Sequence, residues 1–317
     1  MRNKKGEFLL QLRDEEPEIN KWVLFGGGVE SQETEEQALR REIKEELGYE
    51  IKDAEFFRKY ENNNIEQAIF ILKDAVELNN LNLSEGYAMK FFSASDLTNL
   101  NIGFNFKEIL NDYSEEFKGI NIDLIEKIEG KIKELCLNPK QKTHSFSDKD
   151  TKEFFGSFWF LHIKPVIDYS KELAKKYNGD LETLWLAAIL HDISRLDDLE
   201  PHDEIGADMA HKLLLENGFS KEVAEKVKNT IITHSCKENK PQTLEQKLLA
   251  TADAVIHFKA PFYLWWEHIS KSDMKENFES GLKKIDRDYN DKIFFKEEKE
   301  LIKKEYEVLK SWFKYRP

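Results

Sequence analysis

Cysteine is nearly absent from this chain. Among its 317 residues only Cys136 and Cys236 carry thiols. They stand in different contexts and neither belongs to a CxxC pair, which argues against a disulfide framework or a thiolate zinc site and makes the cytoplasm the expected compartment. Long apolar runs are missing too. None reaches the length of a membrane span, so no membrane partner is expected. The opening "MRNKKGEFLLQLRDEE" has basic residues but neither the apolar stretch nor the small-residue cleavage site of a signal peptide. Positive charge is also short: the formal net charge is −13. That argues against broad binding to long nucleic acid, which needs a basic footprint. Small phosphorylated ligands stay open, because metal ions can hold them inside an acidic site. What remains, 40% hydrophobic and 34% charged residues, fits a globular protein long enough for a sizeable core and about two domains.

The character changes along the chain. "EFLLQL" reads as a short strand, "KWVLFGGG" follows a polar loop, and Thr34 to Leu47 reads as a helix. "AIFILKD" and "YAMKFFSA" are β-like runs. "SASDLTNL" reads as the start of a helix and "FNFKEILNDY" as a short one. An α/β unit is therefore expected over residues 1–113. "IDLIEKIEGKIKELC" has helical periodicity, and "LNPKQKTHSFSDKD" reads as a connection, so 114–150 is expected to be a helical linker. From 151 to 317 almost every segment has helical spacing, which predicts an all-α domain.

The stretch "GGGVESQETEEQALRREIKEELGY" (26–49) places seven glutamates between glycines. A solvated acidic helix would explain the glutamates but not the glycines. Glu42, Glu45 and Glu46 fall at i, i+3, i+4, so a helix puts their carboxylates on one face. Leu39, Ile43 and Leu47 form an adjacent apolar stripe. Three like charges on one face repel, and a hard divalent cation such as Mg²⁺ or Mn²⁺ removes that repulsion. Gly48 stands where a helix C-cap glycine belongs. Seven specified positions, each matched by chance about one time in ten, give an accident rate of ~10⁻⁷ per start site.

These residues, Gly27, Glu33, Arg41-Glu42-Ile43, Glu45-Glu46 and Gly48-Tyr49, match the Nudix box at every specified position, and about residues 5–113 resemble a Nudix hydrolase domain. The resemblance implies an α/β/α sandwich that hydrolyses a diphosphate linked to another moiety, usually a nucleoside. It implies Glu42, Glu45 and Glu46 as metal ligands, with the Gly26 or Gly27 carbonyl nearby. Glu42 and Glu45 would act in catalysis, Glu42 as ligand or as the base that activates water. Gly27, Glu33, Arg41 and Gly48 would hold the loop and helix, while Glu30, Glu35 and Glu36 are expected to be solvated. Glu85 is a further acidic candidate from another loop, with an exposed loop glutamate the equal alternative. "FGG" stands where many members have "PGG". Features of the ADP-ribose and diadenosine polyphosphate hydrolases are missing, which lowers those substrates. The family normally has a full strand before "EFLLQL", so either the start is truncated or the sheet is one strand short.

The second half gathers histidines. His162 lies in "FWFLHIKPV", and His191-Asp192 ends the apolar run "LWLAAIL". His202 opens "HDEIGADMA", His234 lies in "NTIITHS", and Asp253 in "LLATADAV". A buried, unpaired aspartate is costly and wants a cation or strong donors. Imidazoles with carboxylates suit Mn²⁺, Fe²⁺, Co²⁺, Ni²⁺ or Zn²⁺. His211, His257 and His268 read as ordinary packing or surface residues, and His144, in the connection, is unassigned. The combination over 151–270 resembles the HD superfamily of all-α, metal-dependent phosphohydrolases. It implies His162, His191, Asp192 and Asp253 as metal ligands, with Asp192 also a candidate proton acceptor. "HDIS" replaces the frequent "HDIG". Arg195 stands where many members carry a residue able to meet phosphate, the alternative being a pair with Asp197 or Asp198. "HDEIGADMA" resembles a segment of ribonuclease Y-like HD proteins, so His202 and His234 are expected to hold a second metal, contact phosphate, or simply hydrogen-bond near the site.

The leading expectation is a bifunctional phosphohydrolase acting on small nucleotide or sugar-nucleotide substrates. The first half would cut a nucleoside di- or triphosphate derivative. The second would cleave a phosphomonoester or phosphodiester, the released monophosphate being one option. Two alternatives stand beside it: a Nudix-type nucleotide sensor regulating the second half, and a second half that is a nuclease or a cyclic or alarmone nucleotide phosphodiesterase.

Overall fold

The computed structural model describes residues 1–138, 156–197, 199–269 and 273–314. It divides into two compact units, Met1–Asp123 and Leu124–Pro317.

In the first unit β1 (Phe8–Leu12) is the middle strand of an antiparallel sheet. It pairs with β2 (Trp22–Val23) on one side. Helix α1 (Glu35–Leu47) follows, then the hairpin of β3 (Ala54–Asn62) and β4 (Ile65–Leu72). Strand β5 (Ala88–Phe92) closes on the other edge of β1, and α2 (Phe106–Glu116) comes last. The period of two along β1 builds the layers. Leu9 packs in one cluster with Ile43 and Leu47 of α1. Phe8 and Leu10 pack in another with Leu110 of α2. The sheet is thus covered by a helix on each face, giving the α/β/α arrangement. Arg2 forms an isolated bridge to Phe8 ahead of β1. Strand β3 escapes a reading of apolar runs because its sequence, "AEFFRKYEN", is half charged. The tract "ENNN" is its turn: Asn63 and Asn64 have φ of 51° and 63°, as a two-residue hairpin of primed type requires. "SASDLTNL" makes only a 3₁₀ turn at Asp96–Thr98.

Helix α1 is fixed at both ends. Thr34 and Gln37 form a reciprocal capping box. Gly48 closes the helix with φ 62° and donates its N–H to the Lys44 carbonyl at 3.0 Å, a conformation that favours glycine.

Helix α3 (Ile122–Leu137) begins at the boundary between the units. The second unit is helical throughout its described residues. A π-turn at Trp159–Ile163 leads into α4 (Lys164–Tyr177), followed by α5 (Leu181–Leu190), α6 (His202–Glu216), α7 (Lys221–Ile231) and α8 (Leu244–Lys259). Then come α9 (Phe262–Ile269), α10 (Met274–Arg287), α11 (Lys296–Leu301) and α12 (Lys303–Trp312). Every residue of α5 from Thr183 to Leu190 is buried. A helix apolar on all sides becomes the axis of its domain, and α5 packs on α4, α7 and α8. Its carboxy-terminal end delivers His191 and Asp192 into the interior. Among the described residues no helix is long and apolar enough to cross a membrane.

Candidate metal centres

In the first unit Ile43 and Leu47 are pinned in the core, which turns the rest of α1 toward the glycine loop. Arg41 organises that face. Its Nη2 donates to Glu33 at 2.7 Å and to the Gly28 carbonyl at 2.9 Å. Its Nη1 donates to Glu42 at 2.8 Å and Glu45 at 3.3 Å. Glu33 also accepts the Glu30 N–H at 2.6 Å, and the Arg41 bond holds its carboxyl below the usual range. Glu46 turns the other way. It is buried and accepts the Gly26 N–H at 3.3 Å. Burial pushes its carboxyl up to about 7; the Gly26 bond opposes that rise, while the charges of Glu85 and Glu42 add to it. The loop carrying Glu85 is laced to α1 through Ser84 N–H on the Glu46 carbonyl, 2.8 Å.

The structure therefore gathers Glu42, Glu45, Glu46 and Glu85 around one end of α1, with Arg41 between Glu42 and Glu45. It does not draw three carboxylates into one tight set: the groups of three donor atoms within 4.8 Å of one another all lie in the second unit, among the described residues. The donors nevertheless fit a hard divalent ion. They are all oxygens, one is a buried carboxyl beside other carboxylates, and the lack of a side chain at Gly27 lets the Glu42 carboxylate lie against the loop. A Cβ on Gly27 would lie 2.3 Å from Glu42 Oε1.

In the second unit the side chains expected at the site converge. His162 Nε2 is 3.0 Å from His191 Nε2, 3.3 Å from Asp192 Oδ2 and 3.5 Å from Asp253 Oδ1. The other oxygen of Asp192 faces a second set: Arg195 Nε at 3.1 Å, His234 Nε2 at 3.6 Å and His202 Nε2 at 3.9 Å. All these residues except Arg195 are buried. Burial pushes Asp192 up, but His191, Arg195, and bonds with His162 and His234 outweigh it and hold the carboxyl well below the ordinary range. Burial takes His191 down to about 4, against the pull of Asp192.

The tautomers test the fit to a metal. His191 Nδ1 lies 2.9 Å from the Ala188 carbonyl and His234 Nδ1 lies 2.7 Å from the Ile231 carbonyl. A carbonyl only accepts, so both rings carry a proton on Nδ1 and present Nε2 inward. Inward-facing ring nitrogens and carboxylate oxygens at these spacings form a donor set that suits a divalent transition ion. His162 Nδ1 is buried and has no hydrogen-bond partner among the described residues.

The surroundings add residues that spacing alone does not mark. His257, read as ordinary packing, belongs to the cluster. Its Nε2 is 3.3 Å from Asp253 Oδ1, and its ring stacks on that of His162 with centroids 5.0 Å apart. The available signal was its position four residues after Asp253 on one helix face. Lys292 is buried and bonded to Asp253. His257 Nδ1 bonds Asp288 at 2.9 Å. Ser194, the variant letter of "HDIS", donates to the His202 carbonyl at 2.9 Å and ties the site turn to α6. Arg195 pairs with Asp192 and with Glu200, 3.3 Å away, rather than with Asp197. His211 pairs with Glu225 at 3.2 Å. His144, Asp198 and the side chain of His268 lie outside the described residues.

Comparison with known proteins agrees with this division. A family model for the NUDIX domain matches residues 1–112 and one for the HD domain matches 159–256. The chain carries a NUDIX domain followed by an HD domain. Both domain types are generally divalent-metal dependent, and together they support a phosphohydrolase. Among solved structures, one described as a predicted HD superfamily hydrolase from an uncultured Thermotogales bacterium is similar at 20% identity and a TM-score of 0.40. That match covers 59% of this chain and 87% of the other. No curated protein matches the chain.

Proposed function

We propose that the chain is a bifunctional, metal-dependent phosphohydrolase of small phosphorylated metabolites. The NUDIX half cleaves the diphosphate of a nucleoside di- or triphosphate derivative or a sugar nucleotide, with Mg²⁺ or Mn²⁺ on Glu42, Glu45 and Glu46. The HD half cleaves a phosphate ester, with Mn²⁺, Fe²⁺, Co²⁺, Ni²⁺ or Zn²⁺ on His162, His191, Asp192 and Asp253. A cytoplasmic setting suits two free, buried thiols.

The observation that carries the reading is Asp192, whose two oxygens are divided between two histidine sets. One carboxylate can thereby serve two adjacent donor groups, the second completed by His202 and His234. A divalent ion held there by these residues would neutralise phosphate charge and lower the pKa of a bound water. The chain's own residues do the rest. The Ala188 and Ile231 carbonyls fix the ring tautomers. Lys292 holds one oxygen of Asp253 and leaves the other for the site. Arg195 lines the cavity and offers a planar, permanently charged group to phosphate oxygens. In the NUDIX half Arg41 and Glu33 hold the glycine loop against α1, and Glu42 is positioned as ligand or base.

The test is a panel of nucleotides and sugar nucleotides with Mg²⁺, Mn²⁺ and Co²⁺. It is run on the wild type, Glu45→Gln/Glu46→Gln and Asp192→Ala. Each variant is expected to lose one class of hydrolysis and keep the other. If Asp192→Ala leaves ester cleavage intact, the HD assignment is wrong. If the glutamate pair is dispensable in a folded protein, the first half is a sensor rather than an enzyme.

A further inference from the structure

The cavity that opens onto Asp192 and Asp253 has a wall of cationic side chains that are not themselves metal donors. Its volume is about 430 Å³, and its lining includes Lys237, Lys283, Lys284, Arg287 and Lys292. The last four come from α10 and the turn after it. They lie beyond residues 159–256, the segment that matches the HD family model. Lys237 follows His234 on the turn after α7.

Charge bookkeeping singles this wall out. Behind it lie two buried carboxylates, Asp253 and Asp288. Lys292 is bonded to Asp253, and Lys284 stands 3.0 Å and Arg287 3.7 Å from Asp288. Three cations thus face two carboxylates, leaving one positive charge over. Lys237 and Lys283 add to that excess, are exposed, and form no ion pair among the described residues. A metal ion on Asp253 would raise the excess further. A concave, cation-rich wall in a chain of net charge −13 concentrates field where an anion enters. The volume falls within the range of roughly 300–1,000 Å³ typical of small-ligand sites.

We propose that this wall is a phosphate-binding subsite next to the metal centre. The substrate of the HD half then carries at least one phosphate group beyond the one attacked, as a nucleoside polyphosphate or a doubly phosphorylated nucleotide does. The proposal takes the site of ester cleavage from the reading above and adds what selects its substrate. A nucleoside monophosphate, with its single phosphate at the metal donors, leaves Lys237 and Lys283 uncompensated. A substrate with a second phosphate meets them.

The test separates binding from turnover. The full chain in EDTA is titrated calorimetrically with inorganic tripolyphosphate and, separately, with orthophosphate. The wild type is expected to bind tripolyphosphate at least about tenfold tighter. Lys237→Ala/Lys283→Ala should lose about tenfold of that affinity, the scale of two exposed charge contacts, with orthophosphate binding little changed. Both lysines are exposed, so the fold should survive; circular dichroism checks it, and Lys237→Gln/Lys283→Gln provides a second variant. Unchanged tripolyphosphate affinity in folded double variants overturns the proposal. Asp192→Ala keeps the two readings apart. It should retain tripolyphosphate binding while losing turnover, whereas full turnover there defeats the hydrolase assignment and leaves the subsite standing.

Discussion

The two candidate centres solve one problem, holding a cation for phosphate chemistry, with opposite environments. On α1 the donors are carboxylates on a helix face, partly open to water and spanned by Arg41. In the second unit the donors are imidazoles and aspartates buried within a helical core. An open carboxylate site can leave its ligands apart until a cation arrives, because water screens them. A buried one cannot. Its charges must be balanced in the fold itself, which is what Lys292, Arg195 and the fixed histidine tautomers do.

The contrast can be broken at several points. The largest effect is expected at Asp192, because it serves both donor sets. Asp192→Ala should lower ester hydrolysis by about 10³-fold or more while diphosphate hydrolysis stays within about twofold, judged by kcat/KM on each substrate class. Next is the buried lysine. Lys292→Met removes the cation bonded to the buried Asp253 and should cost about 3–5 kcal/mol of stability, read from denaturant unfolding of the second unit. An equivalent loss is not expected at the exposed end of α1. Third, Gly27→Ala places a methyl group where Glu42 now sits. It should cut diphosphate hydrolysis by about 10–100-fold, the scale of a displaced ligand's support, with ester hydrolysis unaffected.

These changes also show what was legible. The NUDIX signal is compressed into residues 27–49, where one helix and one loop fix every offset, so the residues could be picked out one by one. The capping glycine, the Glu33–Arg41 pairing and the helix bounds all lie on that line. The HD constellation runs from His162 to Asp253, and its members meet only through packing of α4, α5 and α8. The adjacent pair His191-Asp192 after an apolar helix announced itself. His257 did not, because a histidine on an apolar helix has no mark of its own until Asp253 and Asp288 are placed beside it. Lys292 and Asp288 sit in a part of the chain with no motif, and only the fold brings them to the cavity. Strand β3 was hidden for a related reason: its charged letters face water, and its turn is written in asparagine rather than glycine.

The smallest expected effect concerns protons. Burial raises the Glu46 carboxyl to about 7, above its ordinary value. The metal-free fold therefore holds a proton that the unfolded chain releases between about pH 4.5 and 7. Stability from this group is present at the acid end and is lost as pH rises through 7. A metal must displace the same proton, so Mn²⁺ affinity at α1 should climb up to about tenfold per pH unit below 7 and level off above it. Glu46→Gln should flatten the stability profile of the metal-free protein over that range.

The central claim, two separate centres of different donor chemistry in one chain, is tested most directly by counting Mn²⁺. Free Mn²⁺ would be followed by its paramagnetic resonance signal during titration of the wild type, Glu45→Gln/Glu46→Gln and His191→Ala/Asp192→Ala. Two independent classes of ion are expected in the wild type, with each variant losing its own class and retaining the other. Loss of both classes in either variant, or of neither, would contradict the account.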